Sequence, residues 1–208
     1  LTKIRHFSID FENEFQGGHP MRTLFLALSC CFLLASPAAA VEYMTKEEAL
    51  KLAFPSGAET KSEKNEVSAA TLTKIEALWG KKPDDTKYKV YIGKSATGDV
   101  LGYALFLTRG TKYQPITFMV QINTSGEVGL VSIVVYREPR GEEVKDTRFL
   151  KQFFGKTKKD KLALNRDINS IAGATVSAEV VTAGVKEALL VVEDLYLSKL
   201  AATTPSAP

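Results

Sequence analysis

The stretch Ile168-Asn-Ser-Ile-Ala-Gly-Ala-Thr-Val-Ser177 opens directly into the longest periodic segment of the chain. From Ser177 to Leu200 the apolar residues Val181, Val185, Ala188, Leu189, Val192 and Leu195 recur at the spacing of one helix face, with Ser177 suited to cap it. Working back from this junction, Phe149, Leu150, Phe153 and Phe154 share one face of a shorter helix stopped by Gly155. Lys156 to Lys161 reads as a solvated basic turn, and Arg137 to Asp146 as a charged segment around Gly141.

Ahead of these helices the pattern is that of a sheet. Residues 88–92, 100–108, 116–123 and 128–136 are predicted strands, with Thr124-Ser-Gly-Glu127 as a hairpin turn between the last two. Further back, Thr45-Lys-Glu-Glu48 has the form of a capping box and predicts a helix ending before Pro55. Residues 55–67 are polar and read as a loop, and residues 69–79 as a second helix that stops at Gly80. The order is two helices, four strands, a helix and a long helix. That is an α+β domain, an antiparallel sheet with helices packed on one face. The expected organisation is an N-terminal helical segment at 41–86, a main domain at 87–200 and a disordered tail at 201–208.

The chain has 208 residues, 45% hydrophobic and 25% charged, an ordinary globular composition. Its net charge of +3 points neither to nucleic acid nor to strong membrane-surface binding. Met21-Arg22, an apolar run from Leu24 to Leu34 and Ala38-Ala-Ala40 together read as a secretory signal peptide at 21–40, cleaved before Val41. The run is short of the ~20 residues that a membrane-spanning helix needs. Residues 1–20 read as an over-extended start ahead of Met21. The expected location is therefore exported, periplasmic or on the outer face of the cytoplasmic membrane. The two cysteines (Cys30, Cys31) and two histidines (His6, His19) all precede Val41. A protein starting there has no thiol or imidazole for haem, iron–sulfur, structural zinc or nucleophilic chemistry, and no catalytic or metal-ligating residue is assigned.

The chemistry of the junction follows from its residue types. Gly173 and Ala174 are small and let a ligand approach the backbone closely. Thr175 sets a hydroxyl just before a helix N-terminus, where unpaired N–H groups and the positive dipole end favour a phosphate. The same residues also suit a tight loop in which Thr175 and Ser177 merely cap the helix.

Ile168 to Ser177 resembles the attachment motif of the FMN-binding domain family, which includes the C subunit of sodium-pumping NADH:quinone reductase, the G subunit of the Rnf complex and the flavin domain of nitrous-oxide-reductase regulators. The similarity extends over about residues 88–197. Pro115-Ile-Thr-Phe-Met-Val-Gln-Ile122 resembles the strand after a Gly- and Tyr-containing loop. Ser125-Gly-Glu-Val128 resembles the hairpin turn, and Tyr136-Arg-Glu-Pro-Arg-Gly141 the Glu-x-x-Gly segment near the flavin. The resemblance implies FMN as cofactor, joined through its phosphate to Thr175. It also implies an FAD:protein FMN transferase as one partner and a membrane redox complex as another, in a subunit that relays electrons. The cofactor-binding candidates are Thr175, Gly173, Ala174, Ser177, Ala172, Tyr113 and Glu138, with Tyr136 and Phe149 as further walls for the ring. Asn169 stands where the family has Asp, and Ala172 where it has Ser or Thr. On these departures rests the alternative, a non-redox module that kept the fold.

Overall fold

The computed structural model describes residues 41–199 apart from Tyr113 and Pro139, so the expectations for residues 1–40 and 201–208 lie outside the described residues. The elements follow in the order β1 (Val41–Glu42), α1 (Lys46–Ala53), β2 (Glu59–Glu66), α2 (Ala69–Trp79), β3 (Lys87–Lys94), β4 (Val100–Arg109), β5 (Ile116–Asn123) and β6 (Val128–Tyr136). A 3₁₀ turn (Glu142–Lys145), α3 (Thr147–Leu150) running into a second 3₁₀ turn (Lys151–Phe153), α4 (Thr175–Val192) and a π-helical turn (Glu193–Leu197) complete it. The fold is α+β. All six strands join one antiparallel sheet in the order β1-β6-β5-β4-β3-β2.

Alternation builds the two sides of this sheet. Leu105 and Leu107 of β4 face the larger core, which is closed by α2 and α4, whereas Ala104 and Phe106 face the other side. The larger core holds Phe118, Val120, Ile133, Val181, Val185 and Leu189, all buried. Helix α4 lies so close to the sheet that a β-carbon at Gly184 would stand 2.2 Å from Phe118 Cζ. The opposite face, bare in the expected arrangement, receives α1, whose Ala49 packs with Phe54, Met119 and Val134. The capping box of α1 forms as expected: the Glu48 N–H donates to Thr45 Oγ1 at 3.2 Å, and the Thr45 N–H to Glu48 Oε2 at 2.7 Å.

Three local expectations are corrected. Residues 59–66, expected within a loop, form the edge strand β2 paired with β3 along its whole length. Its sequence Glu-Thr-Lys-Ser-Glu-Lys-Asn-Glu has no apolar alternation because it buries little on either face, and charges along an open edge discourage further pairing. With β1, it makes the segment 41–86 a contributor of two strands as well as two helices. The helix at 149–154 is shorter than expected. Phe149 and Phe153 are buried edge-to-face, while Phe154 turns out to solvent at 73% exposure. The basic turn is partly folded in, because Lys156 is half-buried and pairs with Asp160 at 3.4 Å and Asp167 at 3.7 Å. No helix among the described residues is long and apolar enough to cross a membrane.

Candidate functional site

Helix α4 begins at Thr175 with Ala174 in the cap position, three residues before the expected cap Ser177. Gly173, at φ +84°, turns the chain, and the Ala174 N–H closes a turn on the Ile171 carbonyl at 3.2 Å. The helix therefore starts as soon as that turn ends. Ala174 offers no side-chain oxygen, so no side chain caps the first turn. Ala172, Gly173, Thr175 and Val176 face solvent, Val176 at 46% exposure, and Ala174 is buried beneath them. An exposed threonine thus stands on a helix N-terminus whose N–H groups no side chain among the described residues satisfies.

Ser177 is not the cap. It is buried, 3.1 Å from the hydroxyl of Tyr136 at the end of β6. The Tyr136 O–H donates to the Arg140 carbonyl at 2.6 Å, which leaves the Ser177 hydroxyl to donate to Tyr136 Oη. Gly141 completes this joint. At φ +87°, a β-carbon there would lie 3.0 Å from Tyr136 Oη, 3.1 Å from Ser177 Oγ and 3.3 Å from Ala174 Cα. Burial pushes the Tyr136 phenol above its ordinary value, the nearby Glu138 and Glu143 carboxylates add to this, and the bond to Ser177 works against it.

These contacts sort the candidates. Tyr136 and Phe149 are buried core residues and do not wall a ring-binding surface. Tyr113 lies outside the described residues. Glu138 is half-buried and accepts the Gln114 N–H at 3.0 Å, so it ties the loop after β4 to the loop after β6. Glu143, which no sequence pattern singles out, comes within 3.7 Å of where a Gly173 β-carbon would be.

The loop leading into the junction is pinned from two sides. Asp167 accepts the N–H groups of Leu162 at 2.9 Å and Ala163 at 2.8 Å. Partial burial works against its charged form, but these donors and Lys156 hold its carboxyl below the ordinary value. Asp167 is thereby committed to the loop, and it does not take the place of the aspartate that Asn169 replaces. The Gln152 side chain brackets Asn169, accepting its N–H at 2.7 Å and donating to its carbonyl at 3.3 Å. Neither contact has a signal in the sequence beyond the presence of a polar residue at the end of a short helix.

The residues present fit a phosphate-linked group. The alcohol is exposed, the first helical turn is open, and small residues precede it. A group joined at Thr175 has the solvent side of Gly173 and Val176 for its approach, while Ser177 is turned inward and unavailable.

The family model described as "FMN-binding domain" matches residues 112–190, which span β5, β6, the Gly141 joint and most of α4. The chain is 25% identical to the G subunit of the Na(+)-translocating ferredoxin:NAD(+) oxidoreductase complex of Acetobacterium woodii, over 202 residues that cover 90% of this chain and 95% of the relative. The crystal structure of NqrC from Shewanella oneidensis superposes with a TM-score of 0.49 at 13% identity, over 69% of this chain and 85% of that one. The cofactor that this match carries is FMN, and it is through residues 112–190 that the chain is similar to the FMN-binding domain family.

Proposed function

We propose that the protein is an exported flavoprotein that carries FMN covalently, through a phosphoester to Thr175, and relays electrons between a membrane redox complex and exported acceptors. The observation that carries this reading is the exposed Thr175 hydroxyl at the uncapped start of α4, inside the segment that matches the FMN-binding domain family. The similarity to one component of a Na(+)-translocating ferredoxin:NAD(+) oxidoreductase complex supports a membrane redox complex as partner.

FMN, when bound, supplies one- and two-electron chemistry. The chain's own residues hold and orient it. The Thr175 oxygen is the point of attachment, and the first-turn N–H groups and dipole of α4 stabilise the phosphodiester charge. The joint of Tyr136, Ser177 and Gly141 fixes that helix end against β6. Glu138 and Gln114 hold the loops after β4 and β6 together. Among the described residues there is no histidine or cysteine to activate Thr175, so attachment is the work of a separate enzyme, an FAD:protein FMN transferase. In that step the Thr175 oxygen bonds to the phosphorus of the FMN half of FAD, the pyrophosphate link breaks, AMP departs and the hydroxyl proton is released.

Export rests on the signal-peptide pattern of residues 21–40. It is consistent with Val41, the expected first residue after cleavage, already pairing with Tyr136 in the sheet. Protein purified from its own exporting host should be yellow, begin at Val41 and keep its flavin through denaturation. A colourless protein from a host with an active transferase would instead support the non-redox module, which Asn169 and Ala172 favour.

A further inference from the structure

The outer edge of β6 is covered at both ends and open between them. At one end the Val128 N–H donates to the Lys156 carbonyl at 2.8 Å and the Val128 carbonyl accepts the Gly155 N–H at 2.8 Å. At the other, β1 pairs with Val135 and Tyr136, and the Tyr43 N–H donates to the Val134 carbonyl at 3.0 Å. Among the described residues nothing pairs with the outer side of Gly129–Ile133. Alternate residues of an antiparallel strand direct N–H and C=O away from the inner neighbour, so this stretch presents unpaired backbone groups. A groove of about 790 Å³ lies against it, with Leu130, Leu150 and the exposed Phe154 among its walls. The charged side chains lining it are Lys145 and Lys151, both cations. Lys145 is held by Glu142 at 3.0 Å, and Lys151 stands at the exposed rim.

We propose that this gap is a strand-addition site for an extended segment of a partner polypeptide, with apolar residues on the groove side and an acidic residue against Lys151. Five residues of open edge amount to roughly 17 Å of strand, which suits a short segment that enters and leaves between the two covered ends. A second copy of the chain does not fit. Antiparallel pairing of two β6 edges would bring the covered ends of one copy, at Lys156 and Tyr43, onto those of the other. Charge complementarity selects the segment, because a basic one would meet two lysines. Backbone hydrogen bonds provide affinity in such a mode and the pockets beside the edge provide specificity. This surface is independent of the Thr175 reading.

The test uses the native protein and a capped five-residue peptide of alternating valine and polar residues with one aspartate. Two control peptides carry lysine for aspartate or N-methylated backbone amides. Exchange at the outward-facing amides within Gly129–Ile133 should be fast in the protein alone and slow at least tenfold with the aspartate peptide, with no change from either control. Lys151→Glu should reverse the preference towards the lysine peptide. Exchange already slow in the protein alone would show that the chain covers its own edge, and a concentration-dependent slowing would show self-association; either overturns the proposal. So would the absence of any peptide effect at millimolar concentration.

Discussion

Ser177 Oγ in the first turn of α4 and Tyr136 Oη at the end of β6 lie 3.1 Å apart, and Gly141 is packed against both. Two separate pieces of sequence, Tyr136 to Gly141 and the first turn of α4, therefore meet at one buried joint next to the start of the helix that Thr175 opens. The joint sets where α4 starts, and so where the threonine hydroxyl is presented.

Gly141→Ala should disturb this joint most directly. The added β-carbon meets two hydroxyls and the Ala174 backbone at 3.0–3.3 Å, and the φ of +87° disfavours any side chain. The expected cost is about 1–3 kcal/mol, read by urea denaturation, together with reduced flavin incorporation in the folded fraction. A variant as stable and as fully loaded as the wild type would mean that the segment repacks freely.

Ser177→Ala removes the donor to Tyr136 Oη but leaves the Tyr136 bond to the Arg140 carbonyl. Tyr136→Phe removes both bonds and leaves two buried or half-buried groups without a partner. The loss should be larger for Tyr136→Phe, about 1–3 kcal/mol against about 1 kcal/mol for Ser177→Ala, by equilibrium denaturation. Equal losses would show that the Arg140 contact contributes nothing.

Much of this arrangement is legible in the sequence, and the parts that are not share a cause. Strands β5 and β6 match their predicted bounds residue for residue because their alternating and apolar runs are buried. Strand β2 escapes a pattern reading because an exposed edge strand has no hydrophobic period. The start of α4 lies three residues before its expected place because Ser177 looks like a cap; its partner, Tyr136, is 41 residues away and invisible to local pattern. Tyr136 and Phe149 suit a ring-binding wall by residue type alone, because composition does not tell a buried aromatic from a surface one. Asp167 and Gln152, which pin the loop before the motif, act through backbone contacts that leave no spacing rule.

Glu187, fully buried in α4, accepts from Trp79 Nε1 at 2.9 Å, Tyr88 Oη at 2.7 Å, Arg109 Nε at 2.9 Å and the other arm of the same guanidinium. It joins α2, β3 and the end of β4 to α4. Burial, reinforced by Glu187, pushes the Tyr88 phenol above its ordinary range. Glu187→Ala should destabilise the domain by about 3–5 kcal/mol, since it leaves a half-buried arginine without its counter-charge. The position is about 18 Å along the helix from Thr175. Flavin loading per folded molecule should therefore be unchanged, as judged by absorbance of the soluble fraction against denaturation midpoint.

Acid should loosen the loop before the motif. The folded carboxyl of Asp167 sits below its ordinary value of 3.8, so its contribution is present above that value and is lost as the pH falls through the lower folded value. Amide exchange of Leu162 and Ala163, compared between pH 6 and pH 3 after correction for intrinsic rates, should show protection falling. Asp167→Asn should show weak protection at both. Protection independent of pH in the wild type would separate the carboxylate from the loop.

The attachment claim is tested most directly by intact mass and peptide mapping of protein co-expressed with an active FAD:protein FMN transferase. One FMN, less a water, should be present per chain, and the mapped peptide should be the one containing Thr175. Thr175→Ala should abolish the adduct and leave the fold intact, because the exposed hydroxyl caps nothing and its loss should cost under about 1 kcal/mol. Thr175→Ser keeps an alcohol at the same place and should retain part of the labelling. Asn169→Asp with Ala172→Ser should raise the labelled fraction. A covalent flavin that persists in folded Thr175→Ala, or a wild-type chain that takes no flavin beside the active transferase, would contradict the account.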